Sequence, residues 1–282
     1  MNGISINNVS EDATLDEFIA AIKGKTNLAF DVGGVNLSRM GIPTYCTVGI
    51  NTARLSRVSV YLFYLNDDAT RYQRRQMSTL KSLFEDSNVI KIIHDCRQDS
   101  DTLYEFFQIR IRNVFDTSIY NLKIKMATKR DNLNGTLVAY GLPPNPARHK
   151  KFYKHHLLSS PPRPLTEEHI NSASQDIRYL FLLQYLMLKS MRDMSEEEKL
   201  SIHSASIAAI SEYREKRYTA FIKLRGTDWH DFIGPGGSTV SMIEKLSNVS
   251  VSCHNADGFL LLASSSNEIK FARKFIKDLG FR

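Results

Sequence analysis

Residues 91–120 read KIIHDCRQDSDTLYEFFQIRIRNVFDTSIY. The apolar run VIKIIH is a strand ending in a polar turn, SDTLYEFF is a helix, and VFDTSIYNLKIKM follows. Working outward, NLAFDVGGV, YCTVGIN and VSVYLFYL read as three strands in succession, and RYQRRQMSTLKSLFED is an amphipathic helix. Alternation of strand and helix predicts an α/β domain. Near its start LAFDVGGVNL, residues 28–37, brings one carboxylate, Asp31, to the end of a strand and follows it with two glycines. Side chains two apart on a strand share a face, so a metal at Asp31 wants a second acid at 33. Position 33 is glycine.

Two further aspartates stand where a metal-dependent nuclease needs them. Asp99 lies five residues after His94, in the turn leaving VIKIIH, and Asp176 lies in TEEHINSASQDIRYLFLLQYLMLKSM, read as one long helix beginning at Thr166. Acids from a strand end, a turn and a helix can converge at one sheet edge. There they could hold two Mg²⁺ about 3.5–4 Å apart that activate water and stabilise a leaving oxygen. Unrelated surface acids fit the same spacing.

Resemblance narrows this. KIIHDCRQDSDTLYEFFQIRIRNVFDTSIY resembles the second motif of the RNase D-like DEDD 3'-5' exonucleases, in the branch of Egalitarian and exonuclease 3'-5' domain-containing protein 1. LAFDVGGVNLSRMG resembles their first motif, usually Asp-x-Glu-Gly-Val-Asn-Leu, and RPLTEEHINSASQDIRYLFLL their third, usually Tyr-Ala-x-x-Asp. The resemblance implies an RNase H-like 3'-5' exonuclease fold, a mixed sheet flanked by helices. It makes Asp31, Asp99 and Asp176 three of four metal-binding acids and Asp116 architectural. Gly33 stands in place of the fourth acid, and Ser172 in place of the Tyr that orients water. Losing a residue that positions the nucleophile costs about 10²–10⁴-fold, so the catalytic set reads as degenerate. Water could fill the gap, and Asp95, Asp101 or Glu105 are the nearby acids that could compensate. No cofactor is expected, with Mg²⁺ or Mn²⁺ only where nuclease activity is retained.

From Lys123 to Arg163 there are nine Lys or Arg, including Lys150, Lys151 and Lys154, against one acid, Asp131. This stretch lies between the second and third motifs, which in such folds flank the substrate channel, and reads either as a phosphate-contacting surface or as a solvated face. Three scattered cysteines fit a reducing compartment rather than a disulfide framework. No apolar run reaches the roughly 18 residues of a membrane span, and MNGISINNVSEDATLDEF lacks the pattern of a secretory leader. A cytoplasmic or nuclear protein is expected, and the resemblance points to perinuclear RNA granules in the cytoplasm.

RDMSEEEKLSIHSASIAAISEYREK is polar and helix-prone and reads as a linker. Beyond it YTAFIKL, DWHDFIGPGG, STVSMIEKLS, VSVSCH, GFLLLAS and SNEIKFARKFIKDLG give strand, helix, Gly-rich turn, helix, strand, strand, helix. This resembles a type I KH domain, whose Gly-x-x-Gly loop clamps the backbone of about four unpaired nucleotides. Here the loop is Gly234, Pro235, Gly236 and Gly237, with Lys223, Arg225 and Lys245 the expected flanking cations. Glycine is expected there because a Cβ would block close approach of phosphates. Ile233, Val240, Ile243 and Leu246 read as core or groove floor. The middle positions lack the Lys or Arg of many RNA-binding loops.

The boundaries are therefore 1–195 for an exonuclease-like domain, 196–215 for a helical linker and 216–282 for an α+β KH domain. The expected function is an RNA-binding adaptor in a small-RNA (piRNA-like) or mRNA-regulatory complex. Its partners would be single-stranded RNA, proteins of that complex and a second copy through the exonuclease-like domain. The alternatives are a metal-dependent 3'-5' exoribonuclease and a protein scaffold without RNA contact.

Overall fold

The computed structural model describes residues 4–35, 37, 39, 41–51, 57–65, 70–146, 165–216, 218–224, 228–255 and 258–281. They form two compact units, residues 1–210 and 211–282.

The larger unit is built on a six-stranded sheet: β1 (Ile4–Val9), β2 (Asn27–Val35), β3 (Ile42–Asn51), β4 (Val58–Tyr64), β5 (Ile90–Ile93) and β6 (Val114–Asp116). Its spatial order is β1-β4-β3-β2-β5-β6. β2, β3 and β4 run antiparallel, while β5 and β6 add parallel to β2 and β1 adds parallel to β4. Period-two alternation sets what each face carries. Leu28, Phe30 and Val32 of β2, with Cys46, Val48 and Ile50 of β3, enter one core. That core is closed by α1 (Asp12–Ile22), α2 (Arg71–Glu85) and α3 (Arg97–Phe107), through Phe18, Phe84 and Leu103. Ala29 faces the other way, into a second core with Ile177 and Phe181. This second layer contains α4 (Thr117–Ile124), α5 (Leu133–Ala139), α6 (Glu167–Arg178) and α7 (Leu180–Ser190). Asp31 and Gly33, two and four residues after Ala29, therefore share the face that α6 covers.

Three expectations need correction. Asp31 lies inside a strand that continues to Val35, not at its end, and Asp99 lies in the first turn of α3 rather than in a loop. The expected single long helix is two: Thr166 caps α6 as predicted, but Tyr179 (φ −104°, ψ 2°) separates α6 from α7.

The expected linker 196–215 is mostly structural. α8 (Glu196–Ala209) starts with a reciprocal cap between Ser195 and Glu198 and buries Ile202, Ser206 and Ala209. Ser206 Oγ donates to Val114 O at 2.8 Å and accepts from Asp116 N at 2.8 Å, binding the helix to β6. The buried stripe is only three residues wide, so the average polarity of the segment concealed it.

The smaller unit contains α9 (Glu212–Glu215), β7 (Tyr218–Lys223), α10 (Asp228–Ile233), a 3₁₀ turn (Pro235–Gly237), α11 (Ser238–Ser247), β8 (Ser250–Asn255), β9 (Gly258–Ala263) and α12 (Ser266–Asp278). The sheet is antiparallel throughout, in the order β7-β9-β8. All six residues of β9 are buried. Phe259, Leu261 and Ala263 meet Phe232, Ile243, Ala272 and Ile276, while Leu260 and Leu262 meet Tyr213 of α9. Among the described residues no helix is long and apolar enough to cross a membrane.

Candidate functional site

Asp31 of β2 and Asp99 of α3 meet along one short length of β2, and α6, which carries Asp176, packs on β2 and β3. Asp31 pairs across the ladder with Thr47, whose hydroxyl donates to Asp31 O at 3.3 Å. Asp99 Oδ1 accepts the backbone N–H of Val32 at 2.8 Å, so its carboxylate is held against the strand between positions 31 and 33. Burial pushes the Asp99 carboxyl up to about 7, against the lowering effect of the Val32 N–H bond. Cys46 lies opposite Val32; burial raises its thiol far above the usual range, and the charges of Asp31 and Asp99 add to that. This thiol is no nucleophile.

Asp176 is differently engaged. Its Oδ1 accepts from Asn145 Nδ2 at 2.6 Å, and the same amide reaches Ser172 O at 3.3 Å. Asn145 is in turn fixed by Asn134, which accepts its N–H at 2.8 Å and donates to its carbonyl at 3.2 Å. Ser172 is buried on α6 and offers no phenol. At Gly33 the ring of Tyr45, its partner in register on β3, lies over the Cα.

The acids named as substitutes are committed elsewhere. Asp95 sits in the left-handed region (φ 61°) and binds Arg97 Nε at 2.7 Å and Arg130 Nη1 at 2.9 Å. Burial alone would raise its carboxyl, but the two guanidinium groups outweigh that and hold it well below the usual range. Asp101 takes Arg39 through Nη2 at 2.9 Å, Nε at 3.2 Å and the backbone N–H at 2.9 Å. Glu105 is exposed on α3. Asp116 is fully buried and accepts from Asp95 N, Cys96 N, Ser118 N and Ser118 Oγ at 2.8–2.9 Å, an architectural arrangement. Among the described residues no three His, Cys, Asp or Glu side chains are grouped to hold one metal ion. Position 33 supplies no ligand for a metal pair, and Asp176 Oδ1 already accepts from Asn145.

In the smaller unit Gly234, Gly236 and Gly237 have φ of 72°, 58° and 80°, and Pro235 opens the turn. Backbone conformation favours glycine here, before any question of phosphate approach. At Gly234 a Cβ would also lie 2.3 Å from Thr239 Oγ1. Of the residues expected as core or groove floor, Ile243 is core, while Ile233 and Leu246 are exposed and so are not core; Met242 is exposed as well. Lys245 is exposed on α11. Lys223 lies instead in a cleft with Phe221, Arg273 and Lys277, whose described lining includes no residue of the turn. Arg225, Lys150, Lys151 and Lys154 lie outside the described residues.

Sequence reasoning missed Tyr45, Asn145 and the arginines at 39, 97 and 130. Arg39 and Arg97 lie within the quoted motif stretches but at positions to which no role was given, and the roles of Tyr45, Asn145 and Arg130 depend on contacts distant in sequence.

A mixed β-sheet between helical layers, in the order β1-β4-β3-β2-β5-β6, is the RNase H-like 3'-5' exonuclease fold. A family model described as 3'-5' exonuclease matches residues 6–192, and the chain belongs to that family. It is similar to the piRNA biogenesis protein EXD1 of Bombyx mori, with 30% identity over 122 residues, 41% of this chain and 38% of that protein. EXD1 of Mus musculus is 33% identical over 108 residues, covering 38% of this chain and 17% of the relative. The matched region is thus well under half of either relative. Trypanosoma brucei RNase D has the same fold, with a TM-score of 0.62, 18% identity and coverage of 74% of this chain and 72% of that one. Its complex with RNA U12 gives a TM-score of 0.59 at 16% identity, over 75% and 71% of the two chains.

Proposed function

We propose that this protein is an RNA-binding adaptor: a 3'-5' exonuclease-family domain that no longer cuts, followed by a KH domain, working in a small-RNA complex. The observation that carries the reading is position 33, where the family's carboxylate is replaced by glycine beneath a tyrosine ring. Ser172 in place of a phenol supports it. The β–α–α–β–β–α order of the smaller unit, with an exposed glycine turn between its first two helices, supports the KH assignment. The exposed side chains of Ile233, Met242 and Leu246 suit unstacked bases beside that turn. The EXD1 relatives are piRNA biogenesis proteins, which suggests the class of complex.

The test uses the full chain, end-labelled single-stranded RNA and Mn²⁺. Binding without shortening is expected, with log K falling against log salt at about −0.7 per phosphate contact. Stepwise shortening that disappears in Asp31→Ala would establish the exoribonuclease alternative. Absence of salt-dependent binding would establish the protein scaffold instead.

A further inference from the structure

We infer that Gly33 and Tyr45 act as one space-filling device, in which the tyrosine ring, and not only the missing carboxylate, closes the cation position beside Asp31 and Asp99. The inference rests on reading those acids as the remainder of a metal site. Gly33 is the last residue of β2 before its register with β3 shifts at Gly34, and its φ is outside the left-handed region. Backbone conformation therefore does not require glycine there. Space does: a Cβ at 33 would lie 1.9 Å from Tyr45 Cζ, 2.3 Å from Cε2 and 2.4 Å from Cε1. Real Cβ atoms keep van der Waals distance from ring carbons, roughly 3.5–4 Å. The outer edge of the ring thus occupies the volume in which any side chain at 33 must begin. Direct pairing of the two residues across the β2–β3 ladder fixes this overlap in the register of the sheet.

Alternation gives the overlap its location. Ala29, Asp31 and Gly33 share one face of β2, and their partners Gly49, Thr47 and Tyr45 share the same face of β3. The ring therefore stands on the face that carries Asp31, next to the strand segment that binds Asp99 through Val32 N. A glutamate restored at 33 reaches the cleft only once the ring has moved, because its Cβ meets the far end of the Tyr45 side chain first. The ring must rotate away or be removed. Aromatic rings packed on strand glycines stabilise sheets, so the exchange of a ligand for a ring also gives the sheet cross-strand contact.

The test is a pair of mutant cycles in the full chain. Gly33→Ala should lower the Tm of the larger unit by about 4 °C or more when Tyr45 is present, as overpacking does. In a Tyr45→Ala background the same change should leave Tm unchanged or raise it, since the methyl enters released space. Additive shifts overturn the inference. In the second cycle Mn²⁺ is titrated calorimetrically into Gly33→Glu and into Gly33→Glu with Tyr45→Ala. The double variant should bind at least about tenfold more tightly than the single one; equal behaviour of the two overturns the inference. If the glutamate variants fail to fold, the alanine cycle decides alone. Loss of RNA binding by the unsubstituted protein would count against the adaptor reading and would not touch either cycle.

Discussion

In the larger unit the carboxylates that draw the eye are engaged inside the fold: Asp116 with four donors, Asp101 with Arg39, Asp95 with Arg97 and Arg130, Asp176 with Asn145. In the smaller unit the residues of interest lie at the surface: Pro235 and Gly236 are exposed, and the cap of α11 is three glycines in the left-handed region rather than a side chain. Glycine marks both places for different reasons. At 33 it makes room for a ring; at 234, 236 and 237 it permits a backbone that other residues rarely adopt. The larger unit uses its polar groups to hold itself together, and the smaller unit leaves a preformed turn facing water.

The comparison is broken most severely at Asp116. Replacing it by asparagine keeps the volume but turns two donors toward Asp95 N, Cys96 N and Ser118. Unmaking a buried, charge-assisted network of this kind costs about 3–5 kcal/mol. Chemical denaturation should show that loss in the larger unit, while the corresponding Asp31→Asn should cost about 1 kcal/mol or less. Equal losses at both positions would erase the distinction between architectural and chemical acids.

Next in size is Gly234→Ala, in the other unit. It combines φ of 72° with a Cβ placed 2.3 Å from Thr239 Oγ1, for a cost of about 2 kcal/mol. Hydrogen exchange on the full chain should show lost protection in α10 and α11 and none in β2 or β5. At Gly237 nothing lies within 4 Å of the built Cβ, so only the backbone term operates and asparagine should be tolerated better than alanine.

A smaller effect separates the units by pH. Lys91 on β5 is fully buried, and its ammonium donates to Val89 O at 2.8 Å and to Asp86 O. Burial pushes it down to about 8. The folded chain thus releases this proton near pH 8, the unfolded chain near about 10.4. Between those values the unfolded state binds more protons, so stability rises with pH, by about 1–2 kcal/mol over the window. Above pH 10 the phenols of half-buried Tyr72 and buried Tyr120, pushed up to about 12 by desolvation, act in the opposite direction. Lys91→Met should flatten the rise from pH 8 to 10 in the larger unit.

How much of this was legible follows from range. The strands and helices that carry Asp31, Asp99 and Asp176 were readable because each rests on local periodicity and on motif residues close in sequence. Tyr45 was not, because its role depends on the β2–β3 register; nor was Asn145, held by Asn134 across a loop. α8 passed for a linker because only Ile202, Ser206 and Ala209 of its residues are buried. Lys223 was misplaced because following a strand toward a turn does not say which side of the sheet's edge its cation meets.

The last test asks whether the exposed turn is a binding surface or merely a well-made connection. Gly236 has φ of 58°, a region that asparagine and aspartate enter more readily than other residues, so either substitution should cost about 1 kcal/mol or less and the two should cost nearly the same. They differ in charge. If the turn clamps phosphates, Gly236→Asp should weaken single-stranded RNA binding about tenfold relative to Gly236→Asn at moderate salt, with the gap narrowing as salt rises. A gap that persists at high salt would point to altered backbone geometry. Identical affinities would leave RNA binding to the larger unit, and then the smaller unit's open turn would have to be explained by a protein partner.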